Sequence, residues 1–287
     1  MKTIAHISDL HFGTELPAVT EALIVDVQAR APALVIVSGD LTQRARGKQF
    51  QAAKAFLERL PAPQIVVPGN HDIPLFDVVR RFAAPLKRYC RWISSDLDPT
   101  FADDEMLVIA LNTARSFTWK NGRISVEQIE ALRSRLKEGG LRVKIVVTHH
   151  PFLPPPGEPG IDLVGRAAKA IRVLDECNVD LLLAGHLHRG YAGDIRTHYP
   201  AARRAMIAIQ AGTAISHRKR HGEANAYNVI RVERTRVEID VRAWNGREFH
   251  SIKRTRYDRA DDGWHPRDCS DPGSVAVHPI PADECRT

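Results

Sequence analysis

Short apolar runs alternate with amphipathic stretches along the first two-thirds of the chain. The runs are TIAHIS (3–8), ALVIVSG (33–39), PQIVVPG (63–69), MLVIALN (106–112), RVKIVVTHH (142–150), VDLLLAGH (179–186) and AMIAIQAG (205–212). They are short, rich in Val and Ile, and many stop at Gly. That is the pattern of strands buried on both faces. Between them lie ELPAVTEALIVDVQARAP, GKQFQAAKAFLERL, DVVRRFAAPLKRYCRW, SVEQIEALRSRLKEGG and GRAAKAIRVLDECN. In the fourth, Val126, Ile129, Leu132 and Leu136 recur at helical spacing, Ser125 stands as N-cap with Gln128 three residues on, and Gly139–Gly140 is the stop. Strands alternating with helices predict an α/β fold.

From about residue 224 the pattern changes. AYNVIRVERTRVEIDVRAWNG (226–246) alternates strictly, with charge on one face, and predicts an antiparallel hairpin with one wet side. From about 256 no period remains, and Pro, Asp and Gly abound. The expected organisation is one domain over 1–255 and an irregular extension over 256–287.

The polar residues that follow the strands carry the chemistry. The first run ends in Asp9 and His11, the second in Asp40, and the third in Asn70, His71 and Asp72. The fifth ends in His149 and His150, the sixth in His186 and His188. In an open α/β sheet these carboxyl ends line one crevice, where ligands bind. The set offers oxygen and imidazole nitrogen without thiolate, which suits divalent ions such as Mn, Fe or Zn. If the chain is extended there, Asp9 with His11 and His186 with His188 each point to one side. The candidates outnumber what one ion takes from protein. Two ions sharing a carboxylate fit the count, and such a pair serves phosphoryl chemistry by activating water and clamping oxygens. His6, His198, His250, His265 and His278 lack this context and read as core or surface residues.

Composition narrows the setting. The 287 residues carry a net charge of +7, which favours anionic partners, but the basic residues are spread, SHRKRHGE (216–223) being the densest group. No basic stripe with interleaved aromatics suggests a stable nucleic-acid complex. No apolar run reaches the roughly 20 residues of a membrane span, and MKTIAHISDLHFG lacks the apolar core of a signal peptide. Cys90, Cys177, Cys269 and Cys285 show no CxxC spacing and read as free thiols. A cytoplasmic protein with a small anionic substrate, able to form a homo-oligomer, is the expectation.

The ordered set DLH, GD, GNHD, HHP and GHLH resembles the calcineurin-like metallophosphoesterases, most of all the bacterial class III cyclic nucleotide phosphodiesterases and related broad-specificity phosphodiesterases. The motifs span roughly 7–190, and GTAIS extends the likeness to about 230. The resemblance implies a four-layer αββα sandwich with mixed sheets around a binuclear centre of two divalent or trivalent ions, Mn, Fe or Zn. By motif, Asp9, His11 and His188 would hold one ion and Asn70, His149 and His186 the other, with Asp40 bridging. In HHP the family ligand is the first histidine; His150 is the alternative. His71 matches the histidine that meets the phosphate or leaving oxygen, a general-acid role. Asp72 is a candidate to hold a ligand or His71 in its tautomer, or else a cap. His217 and Arg218 stand near the pocket as candidates to touch substrate, His217 being the one chosen. The implied activity is hydrolysis of small phosphodiesters, such as 3′,5′-cyclic nucleotides, by hydroxide generated at the ion pair. Alternatives are a nuclease, or a hydrolase of glycerophosphodiesters or lipid-linked pyrophosphates. A non-catalytic scaffold would have no need of the complete ligand set.

Overall fold

All the apolar runs form strands. The computed structural model describes residues 1–220 and 222–267. The chain runs β1 (Lys2–Ile7), α1 (Pro17–Ala29), β2 (Leu34–Val37), α2 (Gly47–Leu57), β3 (Gln64–Val66), α3 (Val78–Ala83), α4 (Lys87–Trp92), β4 (Thr100–Ala102) and β5 (Met106–Ala110). It continues through α5 (Val126–Lys137), β6 (Val143–Val147), α6 (Ala167–Glu176), β7 (Leu181–Ala184), β8 (Tyr191–Asp194) and β9 (Ile207–Gln210). It closes with β10 (Ala226–Val232), β11 (Arg236–Trp244), β12 (Phe249–Ala260) and β13 (Gly263–Arg267). One sheet has the order β13-β12-β11-β10-β1-β2-β3, the other β4-β5-β6-β7-β9-β8. Both are mixed: β1, β2 and β3 run parallel, as do β5, β6, β7 and β9, and antiparallel strands flank them.

Alternation along each strand builds the layers. Ile4, Leu34 and Ile36 meet Val108, Ile145, Leu183 and Ile209 between the two sheets. The opposite faces, Ala5, Ile7, Val35 and Val37, pack under α1 and α2 against Leu23, Val27, Phe50 and Phe56. On the far side Ile109, Val146 and Leu182 pack under α5 and α6 against Leu132, Ile171 and Leu174. This is the expected four-layer αββα arrangement, and it explains why the strand runs are apolar at every position.

Local signals behave as their chemistry dictates. Ser125 caps α5 by accepting from the Gln128 amide (3.1 Å), and Gln128 Oε1 returns the bond to the Ser125 amide (3.0 Å). The stretch 77–92 forms two helices rather than one, because Pro85 has no amide hydrogen to continue the ladder.

Two expectations change. The charged face of the 226–246 hairpin is wet only in part: Arg242 donates to both Asp26 oxygens (2.6 and 2.9 Å), tying β11 to α1. The predicted irregularity from 256 does not hold through 267. β12 continues to Ala260, β13 follows, and Tyr257 and Trp264 are buried. Trp264 donates its indole N–H to Asp180 (2.9 Å), a long-range partner that no local pattern announces. The rest of the expected extension, with Cys269, His278 and Cys285, lies outside the described residues.

Topology places the site. The parallel strands of each sheet end at one edge of the sandwich, and the loops there interlock. The Asp9 amide donates to the Gly39 carbonyl (3.1 Å), and the Gly185 amide to the His149 carbonyl (3.0 Å). The His186 amide donates to Asp9 Oδ2 (2.9 Å), joining a loop of one sheet to a carboxylate of the other.

Candidate metal centre

Asp9 and His11 follow β1, Asp40 follows β2, Asn70 and His71 follow β3, His149 follows β6, and His186 and His188 follow β7. The structure gathers them into one hollow. Asp9, His11, Asp40 and His188 form one group whose ligand atoms all lie within 4.8 Å of one another, and His149, His150 and His186 form a second. Asp40 stands between the groups, Oδ2 3.7 Å from His11 Nε2 and Oδ1 3.4 Å from His149 Nε2. Asn70 joins the second group, its Oδ1 3.3 Å from His149 Nε2.

The paired residues reach the hollow by a route other than the expected one. Asp9 (φ 53°), His11 (49°), Asp40 (51°), His186 (75°) and His188 (56°) all adopt the left-handed backbone conformation. Each pair points inward because the chain kinks at both of its members, not because an extended strand repeats every second residue. Such residues cost about 1–3 kcal/mol each and cluster where function over-determines them. Asp and His tolerate this region better than most side chains. The loops also pass very close: a Cβ on Gly39 would stand 2.5 Å from His149 Nδ1.

Hydrogen bonds orient the imidazoles. His149 Nδ1 donates to the Ser38 carbonyl (2.7 Å) and His188 Nδ1 to the Arg218 carbonyl (2.6 Å). Each therefore turns Nε2 inward, the orientation that metal-binding histidines receive from their outer partners. His11 Nε2 and His188 Nε2 face each other at 2.9 Å, and His188 Nε2 lies 3.3 Å from Asp9 Oδ1. Burial alone would raise the Asp9 carboxyl, but His188, His11 and His149 around it hold it well below the usual range. Asp40 is held low in the same way, by His149 and His71 against burial. Burial pushes His11 down to about 4 and His186 to about 3, which keeps both as neutral donors of a lone pair. Against burial, Asp40 lifts His149 to about 9. Two buried carboxylates thus call for positive charge here. Asp9 Oδ1 has no hydrogen-bond partner although it is buried, a costly state for an anionic oxygen unless a cation meets it. The residues fit metal ions on these grounds.

A model of the calcineurin-like phosphoesterases matches residues 2–190. The chain belongs to that family. This phosphoesterase is 25% identical over 201 residues to a probable cyclic nucleotide phosphodiesterase of Synechococcus sp., covering 66% of this chain and 74% of that protein. It is 28% identical over 166 residues to the glycerophosphodiester phosphodiesterase GpdQ of Enterobacter lignolyticus, covering 53% of this chain but only 57% of that one. Among solved structures, a purple acid phosphatase from yellow lupin (Lupinus luteus) seeds superposes with a TM-score of 0.66 at 11% identity, over 87% of this chain and 52% of that one. A dimetal phosphatase from Danio rerio gives 0.63 at 15% identity, over 88% and 98%. These structures share the fold of the phosphoesterase.

The remaining residues divide clearly. His150 is held elsewhere: its Nδ1 lies 2.7 Å from Thr113 Oγ1 and its Nε2 3.0 Å from the Lys120 carbonyl. Both of its nitrogens are thus engaged, whereas His149 turns Nε2 toward Asp40 and Asn70. Asp72 makes no hydrogen bond to the His71 ring or to a side chain of the two donor groups. Its carboxylate accepts from the amides of Leu41 (3.1 Å), Thr42 (2.9 Å) and Gly69 (2.9 Å) and from the Thr42 hydroxyl (2.8 Å). It thereby clamps the Asp40 loop to the Asn70–His71 loop. Burial and nearby Asp40 push it up to about 7, against the pull of those donors. His217, the expected substrate contact, is exposed to solvent. Arg218 enters instead: its Nη1 donates to Gln43 Oε1 and lies 3.1 Å from His71 Nε2 and 3.4 Å from His11 Nδ1. His71 itself is within 2.9 Å of the Gln43 carbonyl through Nδ1, and its amide donates to Asp40 Oδ1 (2.8 Å). Gln43 carried no sequence signal. Arg218 had one, its place just past GTAIS, but nothing local ranked it above His217. Of the histidines expected to be structural, His6 is buried with Nε2 3.0 Å from Ser38 Oγ, while His198 and His250 are exposed.

Proposed function

We propose that this phosphoesterase is a metal-dependent phosphodiesterase acting on small anionic diesters. Asp9, His11 and His188 would hold one ion, Asn70, His149 and His186 a second, and Asp40 would bridge them. The observation that carries this reading is Asp40, flanked by both donor groups, beside a buried Asp9 oxygen that accepts no hydrogen bond. Bound ions would supply Lewis-acid charge and water of lowered pKa; Mn, Fe and Zn all suit the donors.

The chain's own groups do the rest. Ser38 and Arg218 fix the tautomers of His149 and His188 through their carbonyls. Nδ1 of His71 donates to the Gln43 carbonyl, so only the imidazolium form carries a second hydrogen, on Nε2 at the rim, which a departing oxygen would take as a hydrogen bond or proton. Arg218 brings a guanidinium to the same edge, placed to pair with a non-bridging phosphate oxygen. In the hydrolysis, oxygen from water bonds to phosphorus, the ester P–O bond opposite breaks, and the leaving alkoxide gains a proton.

The two curated relatives are named for a cyclic nucleotide and for a glycerophosphodiester, and both are candidate substrates. A cytoplasmic setting belongs to this reading; among the described residues no helix is long and apolar enough to cross a membrane. Asp40→Ala and Asn70→Ala should each cut Mn-dependent hydrolysis of bis(p-nitrophenyl) phosphate by orders of magnitude and leave the circular dichroism spectrum unchanged. Full wild-type rates in a chelated, metal-free sample would refute the reading.

A further inference from the structure

The hollow continues past His71 into a pocket of about 190 Å³. Asn70 and His71, shared with the metal hollow, line it together with Ile73, Arg44, Trp119 and Lys120. Trp119 is 49% exposed yet firmly held. The Arg81 guanidinium stacks 4.1 Å from its ring centre, and Arg81 is itself buried and donates to the carbonyls of Ser116 (2.9 Å) and Pro74 (3.1 Å). Trp119 also sits at φ 49°, a conformation strained for so bulky a residue and one that tends to mark functional loops. The next residue is pinned by His150, and Gly122 closes on the same ring, where a Cβ would stand 2.1 Å from Nδ1. A large aromatic face is thus fixed at the mouth of the pocket, with one side left free.

Charge is the second observation. Arg44 and Lys120 line this pocket, and neither has an ion-pair partner among the described residues; Arg218 stands beside His71 at the edge of the metal hollow. With two divalent ions, two carboxylates and a hydroxide the centre alone carries about +1, enough for one phosphodiester at about −1. Arg218 is already placed for that group, so Arg44 and Lys120 are two cations beyond what it needs.

We propose that Trp119, Arg44 and Lys120 form a recognition wall for a nucleotide that bears a phosphate besides the one cleaved. The base stacks on the free face of Trp119, and the additional phosphate meets Arg44 and Lys120. The inference rests on the phosphodiesterase reading and names its substrate class. Stacking of a base on an aromatic side chain is worth about tenfold or more in affinity.

The test uses the full chain with Mn and three substrates: ADP-glucose (ring, two phosphates), 3′,5′-cyclic AMP (ring, one phosphate) and glycerophosphoethanolamine (one phosphate, no ring). Wild type should show its highest kcat/KM on ADP-glucose. Trp119→Leu should lower the ratio of kcat/KM for ring substrates over glycerophosphoethanolamine about tenfold or more. The double variant Arg44→Gln, Lys120→Gln should lower the ratio of ADP-glucose over cyclic AMP by a similar factor. Unchanged ratios, or a wild-type preference for glycerophosphoethanolamine, overturn the proposal. Binding gives a readout without turnover: ADP should quench tryptophan fluorescence in wild type, glycerol 3-phosphate should not, and Trp119→Leu should abolish the quench. Absence of any ADP quench overturns the wall. Failure of the phosphodiesterase reading shows separately, as no Mn-dependent hydrolysis of bis(p-nitrophenyl) phosphate while the ADP quench persists.

Discussion

Removal of the Asp72 carboxylate is the sharpest test of how the site is assembled. In Asp72→Ala three buried amides, of Leu41, Thr42 and Gly69, lose their acceptor. The Thr42 hydroxyl is not counted, because it can turn to the His71 carbonyl, 3.3 Å away. Each orphaned buried donor costs about 1–3 kcal/mol, so the sum is about 3–9 kcal/mol, with water in the vacated space favouring the lower end. Folded domains have only about 5–15 kcal/mol in hand. With a urea slope of about 3 kcal/mol/M, a loss of 3–4 kcal/mol moves the midpoint down by about 1 M or more. The assay is urea unfolding of the metal-free protein followed by fluorescence, beside Mn titration by calorimetry. Mn binding should weaken as well, because the clamp joins the loop of Asp40 to the loop of Asn70 and His71. Asp72→Asn keeps one acceptor oxygen but turns an amide NH₂ toward the donors, and it should recover at most about half of the loss. A midpoint for Asp72→Ala within about 0.2 M of wild type would refute the clamp.

Three other outcomes follow from the geometry. His71→Ala should slow hydrolysis of alkyl diesters by about 10²–10⁴ and of activated aryl diesters much less; equal losses on both would remove His71 from leaving-group chemistry. Arg218→Gln keeps the carbonyl that orients His188 and removes the guanidinium, so kcat/KM should fall about ten- to a hundredfold with bound metal content unchanged; a parallel loss of metal would make Arg218 a structural prop instead. His6 is pushed down to about 3 by burial, so the folded state refuses a proton that the unfolded chain accepts. Stability from this residue is complete above about pH 6.5 and falls with pH toward about 3, at about 1.4 kcal/mol per unit, hence about 2 kcal/mol between pH 6.5 and 5. His6→Gln should flatten the pH dependence of the urea midpoint by that amount; an unchanged slope would argue against a buried neutral imidazole.

Much of the site was legible residue by residue. Strand ends are short-range features, and Asp9, Asp40, Asn70, His149 and His186 each stand just beyond an apolar run whose period is visible. The choice between His149 and His150 was not legible from composition or spacing, since it depends on Thr113 and the Lys120 carbonyl, more than thirty and exactly thirty positions away in sequence. Arg218 and His217 are adjacent and equally polar, and only the turn after β9 decides which faces inward. The wall of Trp119 reads in sequence as an ordinary loop aromatic, because the Arg81 that braces it belongs to another element.

By itself the amino-acid order determined the alternation of strands and helices, the two-faced burial of the strands and the inventory of candidate metal-ligating groups, because these follow from periodicity and from what stands at each strand end. Only the tertiary structure decided which groups converge, how the left-handed kinks aim them, what Asp72 holds together, and that the chain beyond 255 goes on as strands through 267. Those outcomes depend on contacts between segments far apart in the chain. Their free energies arise from burial and pairing that no local window contains.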